Sequence, residues 1–384
     1  MSTDERHIDR RALLRTGALS GLGLAGLGTL AGALDVSTAF ASTAGASGGM
    51  GALVAAAKKE GHLNVITIPL KGWADYDEIM ATFQSRYGLK IADAIPDGSS
   101  AQEVAAINNL KGQNRAPDVV DVGPAWAAKG KAEGVYVPYK VATWDTIPAS
   151  MKDPAGYWYG DYYGVPAFLS VNKVVKEAPR DWPDLLSPKL RGLVALGGDP
   201  RQAGEAFGAV FAAALANGGS LDNIQPGIDF FAKVKKAGNF NPTFALNANV
   251  AKGATPIAIR WDYLLLAARD VFNGNPAVTV NIPKSGGYAG YYCQAISKYA
   301  PNPNAARLWQ EFLYTDEGQL MFLKGYTHPA RYNDLAKRDK IPAFLAAKLP
   351  PAAAYNNVKF ATTDQINKAQ AVLQAQWGPK VAGS

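Results

Sequence analysis

The chain has 384 residues, of which 48% are hydrophobic and 18% charged, a balance that predicts a soluble globular protein with more than one core. The formal net charge is +7, and after Arg15 the basic residues stand singly or in pairs. Since no run of lysines and arginines is interleaved with aromatic residues, the composition argues against a nucleic-acid-binding protein.

Residues 1–41 are predicted to be a twin-arginine signal peptide. The pair Arg10-Arg11 precedes an apolar segment over 16–34, and Ala39-Phe40-Ala41 supplies small residues around a cleavage point. Asp9 stands where such signals commonly carry Ser or Thr, which is a departure from the pattern of this export route. The segment is rich in Gly and Ala and suits a cleaved signal better than a permanent membrane anchor. We expect cleavage near Ala41 and a periplasmic mature protein.

Hydrophobic periodicity predicts a first series of α/β elements after a small-residue linker. In chain order these are a helix ended by Gly61, a strand over 63–68, a helix over 76–87, a helix opened by a Ser100–Glu103 capping box and a strand over 118–122. Strands and helices alternate at the spacing of βαβ units, so we expect a parallel sheet flanked by helices.

A second α/β series follows the stretch 157–164, which is predicted to cross between two lobes. Its strands are expected over 165–171, 193–196, 256–259 and 278–282, its helices end at Gly218-Gly219 and Gly238, and helices dominate after Asn304. Lobe one is predicted to comprise residues 53–164 plus 284–327, and lobe two residues 165–283 plus 328–384. The segments 163–166 and 282–287 are the expected crossings.

The sequence contains no nucleophile elbow and none of the common metal-binding motifs. HExxH, CxxC and P-loop patterns are absent, the GxSxG match at 45–49 follows no predicted strand, and His7, His62 and His328 are too far apart for a local metal motif. Cys293 is the one cysteine, so no internal disulfide can form and no cysteine stands at the predicted cleavage point for a lipid anchor. We expect a soluble binding protein without cofactor or metal. A secreted hydrolase with an unrecognised site and a structural or adhesive surface protein are the rival classes.

Candidate ligand residues lie where predicted strands lead into helices, because open α/β sheets bind ligands near the carboxyl ends of their strands. Others lie on the strand that begins near Gly287. The full set is Lys71, Trp73, Ser99, Ser100, Arg201, Gln202, Arg260, Asp262, Tyr263, Tyr288 and Tyr291. The turn 197–204 suits a phosphate, phosphonate or carboxylate, because its glycines allow close approach and the following helix adds positive potential beside Arg201. Ser100 as a plain helix cap and Arg201 as a solvated side chain near Asp199 stay open as alternatives.

The chain resembles the bacterial extracellular solute-binding proteins, in the group that includes periplasmic ferric-iron, polyamine and aminoethylphosphonate binders. The similarity runs from about Leu53 to the C-terminus. It is carried by the stretches 116–121, 163–173, 182–192 and 305–319. The resemblance implies a two-lobed periplasmic binding protein fold of type II with crossing hinge strands and a ligand in the cleft. It also implies the permease subunits of an ABC transporter as partners, and we expect a monomer.

The charges at the predicted site favour an anionic or zwitterionic organic solute. Lys71, Arg201 and Arg260 outnumber Asp262, which would hold an amine or orient Arg260. The resemblance leaves polyamine and ferric iron as alternatives. Iron-binding members use adjacent tyrosines on a segment that corresponds to 261–263 here, where the pair is lacking, and the neighbours at 291–292 point to opposite faces of a strand.

Overall fold

A computed structural model describes residues 49–66, 73–95, 99–355 and 357–383. The predicted signal peptide therefore lies outside the described residues, as does Lys71. The helices are α1 (Gly49–Glu60), α2 (Tyr76–Tyr87), α3 (Ser100–Asn109), α4 (Pro124–Ala132), α5 (Gly204–Ala216), α6 (Gln225–Lys236), α7 (Asn247–Ala251), α8 (Asp262–Phe272), α9 (Pro303–Leu313), α10 (Asp316–Lys324), α11 (Tyr332–Lys337), α12 (Ala343–Ala346) and α13 (Thr363–Trp377). The strands are β1 (His62–Ile66), β2 (Lys90–Ala94), β3 (Val119–Val122), β4 (Tyr136–Val137), β5 (Tyr159–Gly164), β6 (Pro166–Val171), β7 (Val194–Leu196), β8 (Phe240–Asn241), β9 (Ile257–Trp261), β10 (Val278–Asn281), β11 (Tyr288–Ser297), β12 (His328–Pro329) and β13 (Lys359–Phe360).

The first body of the fold is built around the long strand β11. Antiparallel pairing joins β11 to β3, β4 and β5, while β12 pairs with β5 and β13 with β11. The parallel pair β1 and β2 continues this body, since the Asp118 N–H donates to the Asn64 carbonyl at 2.8 Å. All four residues of β3 are buried, as expected of a strand covered on both faces.

The second body contains a five-stranded sheet in the order β10-β6-β9-β7-β8. The strands β7, β8 and β9 run parallel, whereas β6 and β10 are antiparallel to their neighbours. The helix α5 is almost entirely buried, and it packs between this sheet, α6 and β11. An apolar helix of this kind forms the core of a domain rather than its surface.

The chain passes from one sheet to the other between β5 and β6 and again between β10 and β11. These passages fall at 164–166 and 281–288, and the hinge role given to the segments 163–166 and 282–287 stays a prediction. The C-terminal helix α13 packs against α4 of the first body and α6 of the second. The short strand β12 joins the first sheet although its residues were assigned to lobe two, and the lobe bounds as a whole stay predictions.

Local signals placed most elements but misplaced the start of α3. Its N-cap is Ser99, which forms a capping box with Gln102, so the predicted Ser100–Glu103 box was wrong by one residue. Either serine satisfies the spacing in sequence, and burial of Glu103 under β3 selects the register. Sequence reasoning also missed β2 and α4. No helix of the described residues is long and apolar enough to cross a membrane.

Candidate functional site

Four aromatic side chains from both bodies meet where the chain crosses between the sheets. We call Trp73, Tyr162, Tyr263 and Tyr292 the aromatic cluster. Trp73 precedes α2, and its ring centroid lies 5.2 Å from that of Tyr263 at the start of α8. Tyr162 on β5 is 5.9 Å from Trp73 and stacks on Tyr292 of β11 at 5.8 Å. The contact between Trp73 and Tyr263 therefore joins the two bodies across their boundary.

Behind the aromatic cluster, the first body buries two carboxyl groups around one tyrosine. The Tyr76 hydroxyl lies 3.0 Å from an Asp121 oxygen and 2.8 Å from an Asp161 oxygen. Gln294 donates to Asp161 at 3.0 Å. One hydroxyl has a single proton, so Tyr76 can donate to only one of the two carboxyl groups at a time. Burial raises the pKa of Asp161 to about 6, and burial together with the negative charge of Asp161 raises the pKa of Asp121 well above its ordinary range.

Glu103 adds a third buried carboxyl group to this network. Its Oε2 accepts from the Asp121 N–H at 2.9 Å, whereas its Oε1 and the Asp121 Oδ1 have no hydrogen-bond partner among the described residues. Burial raises the pKa of Glu103 well above its ordinary range. The Tyr162 hydroxyl is likewise buried and without a described partner. Three buried oxygen atoms near the aromatic cluster therefore have no hydrogen-bond partner among the described residues: Glu103 Oε1, Asp121 Oδ1 and the Tyr162 hydroxyl.

On the second body, the site is bordered by an ion pair between two strand-to-helix segments. Arg260 at the end of β9 donates to Glu205 in the first turn of α5 at 2.7 Å, and also to Asn247 at 3.1 Å. Both side chains of the ion pair are largely buried, with 12% and 15% exposure. The Glu205 carboxylate lies against Gly197, where an added Cβ would approach it to 2.4 Å. Arg260 stands three residues before Tyr263 of the aromatic cluster, and its charge is matched by Glu205.

Arg201 lies in the turn 197–204 and is paired with the nearby Asp199. Its guanidinium donates to both oxygens of Asp199, at 2.6 to 3.1 Å. This pairing lowers the pKa of Asp199. The Arg201 carbonyl accepts from Gln374 of α13 at 2.8 Å, and Gln202 lies in the turn that follows Asp199. The ligand role of Arg201 stays a prediction, and its guanidinium already has a carboxylate partner.

The remaining polar candidates have structural partners. The Ser99 hydroxyl accepts from the Gln102 N–H, while the Ser100 hydroxyl accepts from the Gly123 N–H at 3.1 Å and so ties α3 to the start of α4. Asp262 is fully buried, and its two oxygens accept from the Val165 N–H at 2.9 Å and from the Tyr355 hydroxyl at 2.8 Å. Asp262 therefore holds the crossing between the sheets together.

Tyr288 and Tyr291 both lie near the start of β11, but their side chains have different neighbours. Tyr288 stacks on Phe211 of α5 with ring centroids 4.7 Å apart, and Tyr291 packs against Phe360. The Tyr291 hydroxyl donates to the Ser150 carbonyl at 3.4 Å, whereas Tyr292 stacks on Tyr162. The two neighbouring tyrosines therefore point to different surroundings, as the strand alternation predicted. No group of three or more His, Cys, Asp or Glu side chains in the described residues could hold a metal ion.

The structure thus brings together Trp73, Tyr263 and Arg260 of the predicted set. It adds residues that sequence reasoning missed: Glu103, Asp121, Tyr162, Glu205 and Tyr292. Asp121 lies next to the end of the predicted strand 118–122 and Tyr162 lies in the stretch 157–164, so each carried a positional signal. Glu205 carried none, because its partner Arg260 lies 55 residues away.

The comparisons with solved structures define the fold. The fold matches that of two-lobed periplasmic binding proteins. The AfuA protein from Actinobacillus pleuropneumoniae, with bound fructose-6-phosphate, has a TM-score of 0.64 at 18% identity and covers 84% of this chain and 99% of its own. Iron-bound HitA from Pseudomonas aeruginosa has a TM-score of 0.62 at 18% identity over 82% of this chain and 98% of its own. The spermidine/putrescine ABC transporter substrate-binding protein PotD from Streptococcus pneumoniae reaches 0.59 at 16% identity over 82% and 99%.

The chain belongs to the family of bacterial extracellular solute-binding proteins, which it matches over residues 114–369. A protein from Haemophilus influenzae whose function is uncharacterised is 28% identical over 201 residues, or 48% of this chain. The chain spans about half (54%) of the length of that relative.

Proposed function

We propose that the protein is the substrate-binding component of an ABC importer, and that it captures a small organic solute between its two bodies. The family match supports a binding protein rather than an enzyme. The observation that carries the proposal is the contact of Trp73 with Tyr263, because it brings together two predicted ligand residues, one from each body. A solute held there would favour the closed arrangement.

Export and partners complete this proposal. Residues 1–41 act as a twin-arginine signal that is cleaved near Ala41, the mature chain works in the periplasm as a monomer, and the permease subunits of the importer receive the solute. The Arg10-Arg11 pair and the apolar segment after it support this route.

The fold leaves the ligand class open, since the similar structures are described with a sugar phosphate, with iron, or as a polyamine transport component. The geometry weakens the argument for a purely anionic solute, because Arg201 and Arg260 both have carboxylate partners. Tyr291 and Tyr292 have different surroundings, which does not favour the ferric alternative. The zwitterionic and polyamine alternatives retain support.

A metabolite panel tests the proposed function. The mature chain is melted with each compound, and a ligand at about 100 times its dissociation constant should stabilise it by about 2.7 kcal/mol. Small-angle scattering at saturation should show compaction. Product analysis of each stabilising compound distinguishes the secreted hydrolase, because steady turnover would contradict the proposal. A complete lack of response across the panel would favour a structural or adhesive protein.

A further inference from the structure

The two bodies meet at a second contact, which lies farther along α8 than the aromatic cluster. α8 packs on β6, β9 and β10 of the second body, whereas α10 packs on α2, α9 and β12 of the first. The hydroxyl of Tyr326, just after α10, donates to an Asp270 oxygen on α8. Asp270 follows Tyr263 by seven residues, so both lie on one stripe of the helix. The first body therefore contacts this stripe twice, through Trp73 and through Tyr326.

The groups around Asp270 keep it an ionised acceptor. Arg269 on the same helix donates to its other oxygen at 3.0 Å, and the Lys348 Nζ lies 5.7 Å from the centroid of the Tyr326 ring. Burial acts to raise the pKa of Asp270, but the hydrogen bonds from Tyr326 and Arg269 outweigh it and leave this pKa below its ordinary value. Burial and then the bond to Asp270 raise the pKa of Tyr326 to about 12, so the hydroxyl keeps its proton at neutral pH. The contact is a charge-assisted hydrogen bond between the bodies.

The first-body side of this contact has an uncommon backbone conformation. Tyr326 has a φ of 71°, and Ala74 and Asp75, which follow Trp73, have φ values of 60° and 56°. Residues other than glycine rarely adopt such left-handed values, which persist only where the surrounding structure fixes them. Two short strained segments of the first body therefore carry the two contacts to α8.

Gly325 joins the two strained segments. Its carbonyl accepts from the Ala74 N–H at 3.0 Å, and a Cβ added to it would lie 2.4 Å from the Asp75 nitrogen. Lys324 adds an ion pair with Asp75 at 3.4 Å. Because a side chain at Gly325 would push the segments apart, the two contacts to α8 depend on one close backbone approach.

The contact between Tyr326 and Asp270 lies far enough from the crossing to break when the bodies rotate. Tyr263 lies beside the crossing, because a Cβ added at Gly164 would approach its ring to 2.4 Å. Asp270 is two helical turns, roughly 10 Å, farther along α8. Since displacement in a hinge rotation grows with distance from the axis, opening separates Asp270 from Tyr326 before it separates Trp73 from Tyr263.

Resting on the proposed function, we propose that Tyr326 and Asp270 form a latch that stabilises the closed arrangement of the two bodies, and that Gly325 couples this latch to the position of Trp73. Tyr326 is a positioning residue, which acts on solute binding through the arrangement of the bodies. A solute that binds the closed arrangement gains affinity as that arrangement becomes more populated.

Two spin labels on different bodies measure the arrangement. Ser85→Cys places one on α2 and Lys173→Cys places the other just after β6; both positions are exposed, and the buried Cys293 stays unlabelled. Tyr326→Phe keeps the ring and removes the hydroxyl. Double electron–electron resonance on the ligand-free mature chain should show a ratio of longer to shorter distances about two- to fivefold higher in Tyr326→Phe than in the labelled wild type. The effect is modest because 51% of the Asp270 side chain is exposed. Asp270→Asn, which weakens the same bond from the second body, should shift the ratio in the same direction.

Matched variants separate a latch from general destabilisation. Tyr139→Phe also removes a hydrogen bond from a tyrosine to a carboxylate, that of Glu311 at 2.7 Å, but within the first body. It should lower the free energy of unfolding in urea and leave the label distances unchanged. Gly325→Ala should shift the distances at least as far as Tyr326→Phe, because it displaces both contacts to α8. Gly123→Ala should not shift them, since its added Cβ meets nothing within 4 Å in the described part of the chain.

The label distances decide the proposal. The same distribution in Tyr326→Phe and the wild type, or a wild type that shows the longer distances alone, would overturn the latch. An equal shift in Tyr139→Phe would also overturn it, because lower stability would then explain the change. A metabolite panel without any ligand contradicts the proposed function whatever the distances show. Ligands found in the panel, with no shift of the distances in Tyr326→Phe, contradict the latch alone.

Discussion

Asp262 and Tyr355 form a buried hydrogen bond at the crossing between the sheets. Burial raises the pKa of Asp262 to about 6, and the bonds from Val165 and Tyr355 act in the opposite direction. His328 stacks on Tyr355 with ring centroids 3.8 Å apart. The carboxylate is therefore kept ionised at neutral pH by a small number of donors.

Removing one of these hydrogen-bond donors should lower the free energy of unfolding by an amount that depends on the pH. Tyr355→Phe leaves an Asp262 oxygen unpaired and should lower the free energy of unfolding by about 1–3 kcal/mol near pH 8. The folded-state pKa of Asp262 rises further in the variant, so the loss should shrink near pH 5, where the carboxyl group is protonated. Urea unfolding at both pH values measures this. Tyr332→Phe is the control, since Tyr332 also packs on His328 but has no hydroxyl hydrogen bond among the described residues. A loss that is the same at both pH values would contradict the explanation.

Among individual residues, sequence reasoning selected Trp73 and Tyr263 because strand-to-helix turns bind ligands in open α/β sheets, and the structure brings these two rings into contact. It overestimated the free positive charge at the site. The Asp199–Arg201 pair is local and could have been anticipated, whereas the Glu205–Arg260 pair depends on the packing of β7 and α5 against β9. The lining by Tyr162 and Tyr292 likewise requires the pairing of β5 with β11.

At the scale of elements, α5 and α6 approach each other closely. A Cβ added at Gly227 would lie 2.1 Å from the Val210 carbonyl oxygen, so the backbones of the two helices are in contact. This contact places α5, and with it Glu205, against the second sheet.

The close approach makes a side chain at Gly227 costly. Gly227→Ala should lower the free energy of unfolding by about 1–3 kcal/mol, because the helices must move apart. Gly204→Ala is the control: nothing lies within 4 Å of its added Cβ, and the change in unfolding free energy should stay within about 0.5 kcal/mol of zero. Chemical denaturation of the two variants compares them. Equal stability would show that the helices adjust without cost.

Periodicity predicted most long elements, because α2, α5 and α6 bury apolar residues at helical spacing. It missed β2, whose burial alternates weakly in a charged sequence, and α4, which is short and contains few large apolar residues. The two-residue strands β12 and β13 exist only through pairing with β5 and β11. Such elements carry no pattern of their own in the sequence.

At the scale of the whole molecule, the buried groups Asp118 and His328 change the free energy of unfolding in opposite directions as the pH falls. Burial raises the pKa of Asp118 to about 6, and the stability this provides is present at low pH and lost as the pH rises through 6. Burial lowers the pKa of His328 to about 3, because both ring nitrogens lack a partner among the described residues. Below about pH 6.5 the histidine binds a proton in the unfolded chain but not in the folded one. The free energy of unfolding therefore falls as the pH drops below about 6.5.

Removing the histidine should separate the two contributions. Relative to the wild type, His328→Phe should gain about 1 kcal/mol in unfolding free energy between about pH 7.5 and pH 5.5, because only the wild type then loses stability to histidine protonation in the unfolded state. The aromatic contacts with Tyr163, Tyr332 and Tyr355 can be kept by the phenyl ring. Denaturation curves at the two pH values provide the comparison. Parallel pH profiles would mean that the pKa of His328 is the same in the folded and unfolded states.

Cys293 gives the molecule an internal chemical reporter. It is fully buried on β11, opposite Val122 of β3 and Gly160 of β5, and burial raises the pKa of its thiol well above the ordinary range. A thiol reagent can reach it only after these strands separate, because the reactive thiolate is otherwise both shielded and unfavourable. Since Cys293 is the one cysteine of the sequence, its labelling rate would report how fast the strands of this sheet separate. A rigid-body movement of the two bodies would not change that rate.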